Sequence, residues 1–148
     1  MNKRYIARTI IKIGECRYCH QKVSPPRRTF CSSKCVHEYR LRTSSSYIRK
    51  CVYRRDHGIC AICKINTRLI RDEILESNIN ERLNIYKKYS IPITRKVKKR
   101  KNGGGLWDAD HILPVKFGGG CCSLQNIQTL CIKCHKEKTK LFRNIYIL

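Results

Sequence analysis

Acidic side chains are scarce in this sequence: ten Asp and Glu stand against 33 Lys and Arg in 148 residues, a formal charge of +23. Four of the ten sit between Asp72 and Glu81, so the rest of the chain carries little negative charge. Such self-repulsion costs stability unless a polyanion neutralises it, and nucleic acid is the polyanion the composition points to. Long apolar runs are missing as well. None approaches the roughly 20 residues that a membrane-crossing helix needs, so no membrane partner is expected. The opening MNKRYIARTIIKIGE lacks the apolar centre of a signal peptide. The eleven cysteines are therefore not read as a secreted disulfide scaffold. Eight of them form four close pairs with two or three residues between partners, which is metal-ligand spacing in a reducing compartment. The expectation is an intracellular protein, nuclear in a cell with a nucleus and cytoplasmic otherwise. Its length suits one domain, or one domain with a small appendage.

Residues 5–13, short and rich in β-branched side chains, read as a strand leading to the first cysteines. Cys16-x2-Cys19 and Cys31-x3-Cys35 are separated by eleven residues that include Pro25 and Pro26. Four thiolates so spaced can converge on one Zn²⁺ at roughly 2.3 Å, and the metal supplies folding energy that so small a loop lacks. His20 is an alternative ligand, though a surface position suits it better. Ser32 to Leu41 can be helical. Ser44 to His57 is a stronger helix, with serines 44 to 46 as caps, Gly58 as the stop, and Tyr47, Ile48, Cys51 and Val52 on one face. Cys51 is expected as a small buried hydrophobe. Arg49, Lys50, Arg54 and Arg55 fill the other face, which either is solvated or meets phosphate.

Cys60-x2-Cys63 has no pair nearby. Its mates are Cys131 and Cys134, with 67 residues intervening, and the two pairs need each other because two thiolates make a poor tetrahedral site. A second structural zinc follows. Between the pairs lies an insertion at about 66–105. Leu69, Ile70, Ile74, Leu75, Ile79, Leu83 and Tyr86 suit one helix, or two with a break near Asn78 to Asn80. The clustered acids there form a solvated face or meet a partner protein. After Pro92 comes a basic loop in which Arg95, Lys96, Lys98, Lys99, Arg100 and Lys101 can track a DNA backbone, with a nuclear-import signal or a disordered surface loop as alternatives. The expected domains are an N-terminal finger over 1–43 and a second domain over 44–148.

Trp107 to Leu141 reads WDADHILPVKFGGGCCSLQNIQTLCIKCHKEKTKL and holds Asp110, His111, Asn126, Cys131, Cys134 and His135 within 26 residues. WDADHI alternates as a strand does, Pro114 to Cys122 is a glycine-rich connection, Gln128 to Leu130 returns as a strand, and Ile132 to Phe142 forms a helix. His111 falls on the first strand and His135 in the opening turn of the helix. Cys121 and Cys122 receive no metal role. A CxxCH alone would suit haem attachment, but these cysteines already have zinc partners.

These residues and their spacing resemble the HNH endonucleases, also called ββα-metal or His-Me finger nucleases, over about residues 44–142. FCSSKC…EYRLRTSSSYIR followed by WDADHILPV is similar, more narrowly, to the HNH domain at the end of certain annealing helicases, reaching back to about Cys16. The chain contains no helicase motor, so a helicase or other replication or repair partner would be a separate chain. The resemblance implies an α+β fold with a ββα core, a four-cysteine zinc site and a zinc finger ahead of it. It assigns His111 as general base, a role suited to a neutral imidazole near pH 7. Asp110 and His135 would hold a catalytic Mg²⁺ or Mn²⁺. Asn126 would either ligate that metal or hold the base in position. Lys138 could meet the neighbouring phosphate. Strand alternation would aim Asp110 and His111 to opposite sides unless the backbone bends. The expected function is a metal-dependent DNA endonuclease that nicks or cuts forked or branched DNA, with a non-catalytic zinc-finger DNA-binding accessory as the alternative and an RNA-cutting enzyme third.

Overall fold

A computed structural model describes residues 12–92, 105–121 and 123–145. Most of the 5–13 strand, Cys122 and the whole basic tract from Arg95 to Lys101 lie outside the described residues. The chain divides into two interleaved compact units, Met1–Cys51 with His111–Ile127, and Val52–Asp110 with Gln128–Leu148.

In the first unit, α1 spans Ser33–Thr43. Ser32 caps it by accepting the Cys35 N–H at 3.2 Å, which also places Cys35 one turn inside the helix. Arg40 and Arg42 occupy the last turn, where cations complement the helix dipole. α2, Ser45–Asp56, begins at Ser44, whose hydroxyl accepts the Tyr47 N–H. Ile48 and Val52 are buried on its apolar face as their spacing predicts, while Cys51 is only half-buried. His37 Nδ1 meets the Tyr47 hydroxyl at 2.9 Å and links α1 to α2.

The insertion in the second unit forms two helices, α3 (Thr67–Glu76) and α4 (Ile79–Lys88). The break falls at Ser77 and Asn78 because Asn78 and Glu81 make a reciprocal capping box that starts a new helix. The hairpin buries Ile70 and Ile85 with Ile91 and Leu106. Leu69, Leu75, Ile79 and Leu83 remain exposed.

β1 (Trp107–His111) and β2 (Ile127–Cys131) pair as a two-stranded sheet, and α5 (Ile132–Ile145) follows β2 directly. Bonds from Ile112 N–H to Asn126 O and from Ile132 N–H to Leu106 O bracket the ladder. They fix an antiparallel register with Asp110 opposite Gln128. So short a sheet leaves β2 with an open edge, and Asp56 and Ala61 of the same unit cover it at Thr129. Ala61 N–H bonds Thr129 O, while Asp56 Oδ2 accepts both the Thr129 N–H at 3.2 Å and its hydroxyl at 2.8 Å. Thr129 is fully buried, so no water replaces that acceptor.

The Arg55 guanidinium beside Asp56, helped by the Thr129 donors, holds its carboxyl below the usual range against the opposing effect of burial. Asp56→Ala is expected to cost about 1–3 kcal/mol by leaving two buried donors unsatisfied. The sign of its pH dependence follows from the lowered pKa: the stabilisation is present above the unfolded carboxyl's pKa and is lost as pH falls through the folded one. Melting curves at neutral and acidic pH check this, since the gap between wild type and variant should shrink in acid.

Among the described residues no helix is long and apolar enough to cross a membrane.

Candidate active site

The described residues contain two four-cysteine clusters. Cys16, Cys19, Cys31 and Cys35 form one, and Cys60, Cys63, Cys131 and Cys134 the other, with the sulfurs of each group within 4.8 Å of one another. In the first, Cys19 and Cys31 are 3.5 Å apart and Cys31 and Cys35 3.4 Å. In the second, Cys63 and Cys131 are 3.7 Å apart. Four sulfurs placed tetrahedrally at about 2.3 Å from Zn²⁺ stand about 3.8 Å from one another, so both clusters could bind zinc with little rearrangement.

The two clusters are built alike. Each leading CxxC sits on a knuckle closed by backbone bonds: Cys16 N–H to Gln21 O and His20 N–H to Cys16 O in one, Cys60 N–H to Ile65 O and Lys64 N–H to Cys60 O in the other. The residue after the second cysteine is left-handed in both, His20 at φ 61° and Lys64 at φ 60°. That turn leaves His20 exposed and outside the ligand cluster, which settles the alternative open in the sequence. Cys131 ends β2 and Cys134 lies in the first turn of α5, so the second cluster fastens the knuckle to the strand–helix junction.

Burial opposes thiolate formation at Cys16 and Cys60. Backbone N–H groups aimed at their sulfurs outweigh it, lowering Cys16 to about 6 and Cys60 to about 7. Contacts with Cys35 and Cys19 push Cys31 up to about 12, and burial pushes Cys134 up. A divalent cation in each cluster would let all four sulfurs ionise together.

The loop after β1 is held by one side chain. Asn126 Oδ1 accepts the Leu113 N–H at 2.8 Å, and its Nδ2 donates to Leu113 O at 3.1 Å and to Gly119 O at 3.2 Å. A Cβ on Gly119 would stand 1.8 Å from Leu113 O and 2.7 Å from Asn126 Nδ2, so only glycine allows this approach. Gly118 precedes it at φ 92°, making the left-handed turn. Two glycines of the run thus serve the asparagine clamp. Asn126→Ala should cost roughly 0.5–1.5 kcal/mol, because the Leu113 groups it leaves are exposed and can turn to water, whereas Asn126→Asp should cost more by setting an ionised oxygen against Leu113 O and Gly119 O. Paired thermal denaturation of the two variants checks the order. His111, at the end of β1, is half-buried and lines a small pocket with Leu41, Ile48, Gly120, Ser123, Leu124 and Ile127.

In the second unit, strand alternation puts Asp108 and Asp110 on one face of β1, and α5 lays His135 and Lys138 against it. His135 Nδ1 is 3.3 Å from Asp108 Oδ2, and its Nε2 is 3.7 Å from Asp110 Oδ1. Lys138 Nζ pairs with Asp110 Oδ2 at 2.5 Å and lies 5.6 Å from the Phe142 ring centre. Gln128, directly opposite on β2, approaches the same oxygen. Asp110, His135 and Lys138 are therefore brought together, Asn126 is brought to the loop after His111, and His111 follows Asp110 by one peptide bond. Asp108 was not singled out from the sequence. Its signal was available in the i, i+2 spacing of two acids on a strand.

A paired histidine and aspartate on a strand–helix unit, a clamp asparagine, and a CxxCH shared with a cysteine knuckle define a class: the chain belongs to the HNH endonuclease family, which matches residues 95–141. The crystal structure of the human ZRANB3 HNH domain is similar, with a TM-score of 0.54 and 35% identity over 64% of this chain and 86% of that one. The full-length DNA annealing helicase and endonuclease ZRANB3 of Homo sapiens is 36% identical over 115 residues, 74% of this chain and 11% of that protein. Its Mus musculus counterpart is 35% identical over 138 residues, 84% of this chain and 13% of that protein. The chain spans only about a tenth of the length of these curated relatives.

Proposed function

We propose that the chain is a divalent-metal-dependent DNA endonuclease. The observation that carries this reading is the convergence of Asp110 and His135 beside the peptide bond that leads into His111, within a family of endonucleases. His111 serves as general base, taking a proton from the attacking water as neutral imidazole. The Asn126 clamp positions the loop that follows this base, which favours orientation over metal ligation as the asparagine's role.

Asp110 and His135 offer an oxygen and a nitrogen 3.7 Å apart. Donors of one octahedral Mg²⁺ at about 2.1 Å stand between about 3.0 and 4.2 Å apart, so the pair fits. Bound there, the ion would stabilise charge on the phosphoryl and leaving oxygens. Lys138 pairs with Asp110 and can turn to a neighbouring phosphate. The Lys138–Asp110 ion pair is also the observation that favours the second reading, a zinc-clamped DNA-binding accessory, because it already satisfies the carboxylate. Titrating zinc-loaded protein with Mn²⁺ separates the two: specific binding lost in Asp110→Ala supports the nuclease, and no binding supports the accessory.

The four-cysteine clusters hold structural zinc, which together with the reduced thiols fits an intracellular compartment. DNA is the polyanion, bound mainly through its backbone by the chain's many Lys and Arg, with those from Arg95 to Lys101 among the candidates. The relatives' name, annealing helicase and endonuclease, makes forked or branched DNA the first substrates to test and a helicase or repair protein the first partner. With about six phosphates contacted, log K should fall against log salt with a slope of roughly −5. Fluorescence anisotropy across a salt series measures it, and a flat response would contradict backbone-driven binding.

A further inference from the structure

Between them, Asp108 and Asp110 face both nitrogens of the His135 ring, and this division carries a consequence for the metal site. A neutral imidazole has one N–H, so it donates from one nitrogen and accepts or ligates through the other. Nδ1 lies nearer its carboxylate, 3.3 Å from Asp108 Oδ2, than Nε2 does at 3.7 Å from Asp110 Oδ1. Asp110 already receives Lys138 and Gln128 on its other oxygen. A proton on Nδ1 therefore finds the closer acceptor and leaves the Nε2 lone pair directed toward Asp110, where the two proposed metal donors meet. Metal-binding histidines generally use such a carboxylate partner to fix tautomer and ring orientation.

We propose that Asp108 is a positioning residue that holds the His135 proton on Nδ1 and turns Nε2 toward the divalent ion shared with Asp110. This inference rests on the nuclease reading for the identity of the site, and it extends the site by one residue. Asp108 sits on the same strand face as Asp110, so its carboxylate reaches the ring from beside the proposed ligand.

The test uses the full chain loaded with zinc. Nitrogen-15 NMR in the absence of Mg²⁺ and Mn²⁺ reads the His135 tautomer, and EPR titration reads Mn²⁺ affinity. Wild type is expected to carry the proton on Nδ1. Asp108→Ala should mix the tautomers and weaken Mn²⁺ binding roughly 10–100-fold, while Asp108→Asn, whose amide oxygen still accepts from Nδ1, should stay within about threefold of wild type. The proposal is overturned by a wild-type proton on Nε2, by unchanged affinity in Asp108→Ala, or by equal losses in the alanine and asparagine variants, which would make Asp108 a direct ligand. Should Asp108→Ala not fold, the wild-type tautomer and Asp108→Asn still decide. Failure of the nuclease reading looks different: Mn²⁺ binding indifferent to Asp110→Ala, or intact binding with no DNA cleavage, leaves the tautomer result standing by itself.

Discussion

Cys131→Ser is expected to unfold the strand–helix unit and release its zinc. Cys60, Cys131 and Cys134 are the core there: they form one buried cluster with Leu130, supported by the half-buried Ile65. So small an apolar cluster contributes little burial energy, and +23 of charge works against compaction. Zinc binding worth roughly 10–16 kcal/mol in such sites exceeds the typical margin of a whole domain. Serine oxygen is a poor replacement for one of four thiolates, so the variant should lose helical circular dichroism and hold one zinc where wild type is expected to hold two. Retention of two zincs and a native melt would refute the structural role. Acid should act similarly. With Cys60 near 7 and Cys16 near 6, below the free thiol, their thiolates favour the folded state at higher pH. Protons compete with the metal for these sulfurs, so acid should release it. Colorimetric zinc release during acid titration follows it.

His111→Ala is the second large effect. Removing a general base costs roughly 10²–10⁴ in rate, while the cations proposed to bind DNA remain, so affinity for a cleavable duplex should stay nearly constant. Because His111 also lines the pocket with Leu41, Ile48, Leu124 and Ile127, alanine leaves a void, and His111→Gln supplies a volume-matched variant that cannot take a proton near neutral pH. Both variants should bind DNA, hold zinc and cut slowly. An active glutamine variant would remove His111 from the chemistry.

Much of this site was legible in the residues themselves because metal ligation restricts spacing. Four cysteine pairs, matched across 67 residues in the second cluster, predict the clusters that the structure shows. The strand, connection, strand and helix over Trp107 to Phe142 also follow from local patterning, and the insertion resolves into two helices at the Asn78 cap. What escaped sequence reading depends on backbone atoms and distant partners. Nothing local says that Asn126 will bond Leu113 and Gly119, that Asp56 will satisfy Thr129 across 73 positions, or that Lys138 will seat on Asp110. Asp108 was passed over because the Asp-His pair beside it drew the assignment. The interleaving of the two units could not be read either, since it depends on which segments pack together.

The most direct measurement is a cleavage panel. Zinc-loaded wild-type protein is incubated with end-labelled duplex, nicked, forked and four-way DNA, with and without added Mg²⁺, while binding to each substrate is recorded in parallel. The account predicts Mg²⁺-dependent scission of at least one substrate at a defined bond. Saturating binding to all four with every strand left intact would contradict it.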